Sequence, residues 1–476
     1  MKRASGILMH VSSLYGDYSS GAFGKSAREF IDFLSDSGFT YWQVLPFLMP
    51  DECNSPYKSF GAFSGNPYFI DLEDLFFKGL LTKSELNSAK QISPYLCEYE
   101  RLKKERVPLL KKAAERFLET DDFNNFFRDF PEVSAFCEFM ALKEKNGGKT
   151  WTEWSVSEPD ENTLKAYKFI EYEFFTQYFD LKKYAGEKGI KIIGDMPIYV
   201  DFDSSDVRSR PCDFLLDENN VPTSVAGVPP DYFSKDGQLW GNPLYDYAAM
   251  KKNDFKWWKR RIAFTAKLFD GVRIDHFRAF ESFYSVKYGE KTAKNGKWIK
   301  APGKDIIKAI KSASGNSLII AEDLGIITEK VEKLVKESGF PNMRVLQFAF
   351  SGDKNSPHLP YNYPENCVAY TGTHDNNTLL GYMWELDEKT RLEVLDYFGC
   401  DKTLDGCYDK IINRMLSSHA GLTVFPIQDL LHFGSDTRLN TPGRTDGNWA
   451  FRITKEQLNS LDRNKLKRYN ELFGRI

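Results

Sequence analysis

Gly271–Phe277, reading GVRIDHF, is the stretch that decides the fold. Val272 and Ile274 alternate with Arg273 and Asp275, and alternation at period two predicts a β-strand. Arg273 and Asp275 then project from one face, two residue rises apart. A cation and a carboxylate aimed in the same direction are costly to bury unless each is paired. In isolation the heptapeptide reads equally well as a structural ion pair inside a sheet. What the other strands carry at the same end decides between the readings.

Working outward, seven more apolar stretches predict strands: Ile7–Val11, Tyr41–Pro46, Lys191–Val200, Ser317–Asp323, Met343–Phe350, Cys367–Thr373 and Leu422–Ile427. Most are near-continuous apolar runs, as strands covered on both faces require. Helical spacing intervenes at Ala27, Phe30, Ile31 and Leu34, where Gly38 is placed to stop the helix. It recurs at Tyr167, Ile170, Phe174, Tyr178 and Leu181, at Phe255, Trp258, Ile262, Ala266 and Phe269, and at Val331, Leu334 and Val335. Eight parallel strands with helices between them predict an α/β (β/α)8 barrel, a TIM barrel. Only SGDKNSPHLPYNYPEN joins the sixth strand to the seventh, and its Pro and Asn content argues against a helix. A doubly wound open sheet also accommodates the pattern. The expected organisation is one catalytic domain over 1–476, with inserted subdomains at about 48–188, mostly helical, and 201–253, loop-like.

Composition narrows the function classes. The chain has 476 residues, 64 basic and 67 acidic, for a net charge of −3 without long runs of either sign. Nucleic acid and anionic membrane surfaces are therefore not expected partners. No apolar run reaches the ~18 residues of a membrane span, and MKRASGILMH is too short in apolar residues for a signal segment. Cys53, Cys97, Cys137, Cys212, Cys367, Cys400 and Cys407 form no CxxC, an odd, scattered set that predicts reduced, buried thiols and a cytoplasmic protein. Aromatics reach 15%, and flat, partly polar rings suit sugar surfaces.

Acids recur at the strand ends. The third strand contains Asp195, the fourth ends in Asp275, the fifth in Glu322, and the seventh runs into His374 and Asp375. A barrel delivers all of these to one face. Carboxylates crowded there are pushed apart in pKa, one staying protonated while its neighbour stays ionised. Arg273 is placed to hold Asp275 ionised, whereas Glu322 follows the apolar run LIIA and is the candidate for a raised pKa. A protonated acid beside an ionised one is the equipment of retaining glycoside chemistry. Asp323 alternates away and reads as a packing or capping acid.

In order along the chain, DGVRIDHFRAF, IIAEDLG and TGTHDNNT resemble the blocks that carry the catalytic triad of the α-amylase-like glycosidase clan. SPYKSFGAFSGNP, GDMPIYV, GVPPDYFSKDGQLWGNPLYDY and VFPIQDLL resemble one branch of it, the 4-α-glucanotransferases, or amylomaltases. The resemblance runs from about residue 3 to NWAFR at 448–452. It implies Asp275 as nucleophile, Glu322 as general acid/base and Asp375 as the third acid, gripping two hydroxyls of the reacting glucose. It further implies substrate contacts at Arg273, His374, Tyr57, Ser55, Asp231, Phe233, Gln238 and Trp240. The third-strand block lacks the histidine of many α-amylases, which favours the transferase branch, and no run of β-strands follows the eighth strand.

The implied activity transfers an α-1,4-glucan segment to the 4-hydroxyl of a glucose or maltooligosaccharide, without cofactor or metal. An amylase-type hydrolase and a catalytically silent glucan-binding scaffold are the rival readings. Other chemistries lack their signatures: there is no histidine pair at i,i+4, no Walker loop and no GxSxG. Asp201, Asp203 and Ser205 mimic the start of a calcium loop, but Asp206 stands where that loop needs Gly.

Overall fold

The computed structural model describes every residue except Met1, 51–53, 231–234, 402, 403, 405 and 445. Its described strands are β1 (Ala4–Leu8), β2 (Tyr41–Gln43), β3 (Lys191–Met196), β4 (Ser224–Val228), β5 (Gln238–Pro243), β6 (Gly271–Ile274), β7 (Ser282–Lys287), β8 (Lys297–Lys300), β9 (Leu318–Ala321), β10 (Asn342–Val345), β11 (Cys367–Tyr370) and β12 (Leu422–Pro426). Eight of them close a barrel in the order β1-β2-β3-β6-β9-β10-β11-β12, all pairings parallel. Closure rests on the β1–β12 ladder, from Ala4↔Leu422 to Leu8↔Pro426, which removes the open-sheet alternative.

The apolar runs occur where both faces of a strand are covered. Ile193, Val272, Ile320, Val368 and Val424 are fully buried. Outside the barrel, Lys25–Asp36 buries Phe30, Ile31 and Leu34, and Gly38 ends that helix with φ +74°. Glu161–Glu187 starts on an Asp160 carboxylate that accepts from Thr163 N–H at 2.9 Å, and it buries the Tyr167, Ile170, Phe174, Tyr178 and Leu181 face. This helix backs the loop over residues 54–66. A Cβ on Gly65 would lie 2.2 Å from the Phe174 ring, so only glycine permits the approach. As the Pro and Asn content predicts, β10 and β11 are joined through 3-10 turns at Leu346–Phe348 and Pro360–Asn362. The first of these turns shortens the strand anticipated over Met343–Phe350.

Two expectations need correction. The 201–253 segment is not simply loop: β4 and β5 join β7 and β8 in an antiparallel sheet ordered β5-β4-β7-β8. Its pairings run from Ser224↔Lys287 to Gly227↔Tyr284, across the intervening β6, so no local periodicity announces them. The cysteines are likewise not all reduced and buried. Cys400 and Cys407 form a disulfide with Cα atoms 5.4 Å apart, and Cys212 is exposed. Gly399 (φ +63°) and Gly406 (φ +71°) turn the chain back between two helix ends and bring the pair together. Cys97, Cys137 and Cys367 are free and buried, and Cys53 lies outside the described residues. Among the described residues, no helix is long and apolar enough to cross a membrane.

Candidate active site

β3, β6 and β9 run side by side, and their register sets the first acids. Asp195 pairs with Arg273, and Ile274 with both Met196 and Ala321. The next residues along β6 and β9 are Asp275 and Glu322. Asp275 N–H still donates to Met196 O at 3.1 Å, and Glu322 N–H to Ile274 O at 3.1 Å. The two acids therefore leave adjacent strands at one level, with the strands about 4.8 Å apart.

Arg273 organises the floor. Its Nη1 donates to both carboxylate oxygens of Asp195, at 2.8 and 2.6 Å, and its Nη2 ion-pairs with Asp275 at 3.0 Å. Burial alone disfavours the Arg273 cation, but Asp195 and Asp275 overcome it and hold the guanidinium firmly protonated. The Asp195 side chain is wholly enclosed, whereas that of Asp275 keeps 29% of its surface open.

Glu322 sits in a different environment. Backbone N–H groups of His276 and Leu324 donate to its two oxygens at 2.6 and 2.7 Å, one each, fixing the plane of the carboxyl. Burial pushes its pKa up to about 8. The nearby Asp275 adds to the rise, while Arg273 and the two amides oppose it. To present its N–H, His276 adopts φ 50° and ψ 45°, the left-handed region that a non-glycine residue seldom takes. Burial lowers the His276 pKa to about 4, so its imidazole is neutral.

The third acid comes from the turn after β11. Asn440 Nδ2 donates to Asp375 Oδ1 at 2.6 Å, and His374 Nε2 lies 3.3 Å from the same oxygen. The His374 ring stacks on Tyr57, centroids 5.2 Å apart at 17°. Tyr57 in turn donates its hydroxyl to Asp195 Oδ2 at 2.9 Å. A contact chain thus runs from Asp375 through His374, Tyr57 and Asp195 to Arg273 and Asp275. Trp240 meets His276 edge-on at 4.9 Å and donates Nε1–H to Gln238 Oε1 at 3.2 Å. Ser55 Oγ accepts from Tyr57 N–H at 3.3 Å within its own loop. Asp231 and Phe233 lie outside the described residues.

Asp195, counted in the sequence among the strand-end acids but given no role, is a core brace of the floor. Other participants had no place among the sequence candidates. Asn440 and Arg438, which donates to Asp375 O at 2.6 Å, hold the third acid from a distant loop. Trp449 packs 5.9 Å from both Tyr57 and His374. Asp323 accepts from Met343 N–H at 2.9 Å and faces Asn342 and Arg344, away from the cluster.

A closed parallel barrel carrying this group of carboxylates at one mouth is the apparatus of barrel enzymes that act on glycosidic bonds. The family profile described as 4-alpha-glucanotransferase matches residues 9–458, and the chain belongs to that family, whose members are glycosyl-transferring enzymes. It is 43% identical over 486 residues to the 4-alpha-glucanotransferase of Clostridium butyricum, spanning 98% of this chain and 100% of the relative. The Thermus thermophilus 4-alpha-glucanotransferase is 39% identical over 502 residues, with both chains fully covered. Among solved structures, the amylomaltase from Streptococcus agalactiae in complex with acarbose matches at TM-score 0.95 and 37% identity, again over 100% of both chains.

Proposed function

We propose that the chain performs a double displacement on α-1,4-linked glucose, with Asp275 as nucleophile, Glu322 as general acid/base and Asp375 gripping the reacting ring. In the first half, the Glu322 proton passes to the glycosidic oxygen while an Asp275 oxygen bonds to the anomeric carbon. The leaving glucan departs as a free 4-hydroxyl and a glucosyl ester remains on Asp275. In the second half, the 4-hydroxyl of an acceptor attacks the same carbon and gives its proton to Glu322. The ester breaks, and two inversions leave the α configuration unchanged.

The observation that carries this reading is the contrast between two acids on adjacent strands. Glu322 is enclosed with a pKa near 8, so it holds a proton to donate at neutral pH. Asp275 is ion-paired with Arg273 and opens to the cleft. Retaining chemistry asks for carboxyls ~5 Å apart, and departure from neighbouring strands at one level supports that requirement. Tyr57, His374 and Trp240 would flank the bound sugar, with Ser55, Gln238, Asp231 and Phe233 as further contacts. Maltooligosaccharides fit as donor and acceptor, in keeping with the acarbose bound to the Streptococcus agalactiae relative. The proposed steps use only carboxyl groups of this chain and hydroxyls of the sugars, without metal or cofactor, and the free, buried thiols of Cys97, Cys137 and Cys367 support a cytoplasmic enzyme.

Incubation with maltotriose tests the reading. Transfer yields glucose together with a ladder of longer oligomers, whereas simple hydrolysis only shortens the substrate. Absence of the ladder, or its persistence in Asp275→Asn, refutes the assignment.

A further inference from the structure

The Asp201 that mimics the start of a calcium loop has a different employment. Five residues beyond the end of β3, its Oδ2 accepts from Ser59 N–H at 2.7 Å and its Oδ1 from Asn242 Nδ2 at 3.1 Å. Ser59 lies two residues after Tyr57, and Asn242 two residues after Trp240. Gly241, between them, takes φ +82° where the β4–β5 pairing is irregular, so the hold on Asn242 fixes the far end of the short bulged stretch that carries Trp240. Asn242 also donates to Val200 O at 3.1 Å, which ties β5 to the end of the β3 segment.

Two other carboxylates hold the 54–66 loop by its backbone. Asp206 accepts from Ala62 N–H at 2.7 Å, and Glu171 from Gly65 N–H at 2.8 Å. Asp203 faces Trp151 N–H at 3.1 Å, on another side. Of these, Asp201 joins the loop to a second substrate-facing element. The two elements touch different members of the site. Tyr57 stands against Asp195 and His374, the side of the reacting ring, while Trp240 stands against His276, whose N–H holds Glu322.

We propose that Asp201 is a positioning residue for acceptor choice, a carboxylate clasp that fixes the distance between the Tyr57 loop and the Trp240 strand. The inference rests on the double-displacement reading above. In that reading the acceptor enters beside Glu322, between these two walls. A cleft held at one width accepts a glucose ring whose 4-hydroxyl reaches the ester. A cleft that gapes admits water to the same carbon, and a misplacement of about 1 Å suffices to cost a large factor in rate. Asp201 touches no reacting atom in this scheme, so its loss leaves the acid/base chemistry intact.

The test compares Asp201→Ala, Asn242→Ala and the double variant with the native chain on maltotriose. It measures KM and kcat for disproportionation, the ratio of hydrolysis to transfer, the pH profile of kcat and the thermal melt. The clasp requires KM to rise about tenfold in Asp201→Ala and the hydrolysis ratio to increase several-fold, with an unmoved pH profile. It also requires the two effects to combine to clearly less than their product in the double variant, because both substitutions open the same link and Asn242→Ala adds only the loss of the bond to Val200 O. Unchanged KM and product ratio in folded variants overturn the proposal, as do effects that multiply or a loss confined to kcat. Should Asp201→Ala fail to fold, Asn242→Ala decides alone, since it cuts one arm and leaves Ser59 held. Failure of the native chain to build the ladder strikes the double-displacement reading instead, so the two failures are distinguishable.

Discussion

Replacing Glu322 by Gln should destroy activity and, above neutral pH, stabilise the fold. The folded chain holds the Glu322 proton up to about pH 8, whereas an exposed glutamate loses it near 4.5. Between those values the native state binds more protons than the unfolded state, so stability falls as pH rises through the window. At about 1.4 kcal/mol per pH unit the full cost has a ceiling of about 5 kcal/mol, reached above pH 8 and absent below 4.5. Glutamine never ionises and escapes it. Its amide must, however, face one of the two N–H donors from His276 and Leu324, a pH-independent penalty of about 1–3 kcal/mol. The readout is therefore the difference in unfolding free energy between variant and native chain, measured by urea titration at pH 4, 6, 7.5 and 9. It should climb by a few kcal/mol in favour of Glu322→Gln across that series. The same ionisation should set an alkaline fall in kcat/KM near pH 8 in the native enzyme, and loss of the acid should cost a factor of about 10²–10⁴. A flat stability difference across pH would show that Glu322 is not the buried, protonated acid described here.

Asp275→Asn should lower disproportionation more than about a thousandfold with an unchanged circular dichroism spectrum, because the side chain lies part-exposed at the cleft. Arg273→Met should cost about 3–5 kcal/mol in urea unfolding by stranding the enclosed Asp195 charge. Adding Asp195→Asn should return part of that stability but none of the activity; equal stability of single and double variants would contradict the ion-pair account. Tyr57→Phe loses the 2.9 Å hydrogen bond to Asp195 but keeps the stack on His374, so it should cost about 1–3 kcal/mol in stability and raise KM less than Tyr57→Ala does. Gly65→Ala forces a methyl against Phe174 and should destabilise by about 1–3 kcal/mol, visible as a lower melting temperature.

The barrel was legible because each of its strands is enclosed on both sides. Enclosure leaves a one-dimensional mark, a near-continuous apolar run such as Leu318–Ala321. The antiparallel sheet left no such mark: β4 and β5 are short and interrupted by Gly and Pro, and β4 pairs with β7 only after the chain has passed through β6. The Cys400–Cys407 bond depended on turns at Gly399 and Gly406, not on a motif.

For the site, sequence alone determined which acids share the barrel mouth, because parallel strands of a closed barrel end on one face whatever their loops do. The apolar run before Glu322 also marked it as the acid with the raised pKa, but the contacts that set the acids apart were a matter for the tertiary structure. Asp195, Asp275 and Glu322 are all carboxylates at the ends of neighbouring strands. What separates them is the Arg273 guanidinium between the first two and the burial and paired amides around the third. Asp201, Asn242 and Asn440 join segments far apart along the chain, and a hydrogen bond between distant residues leaves no trace in either one's neighbours.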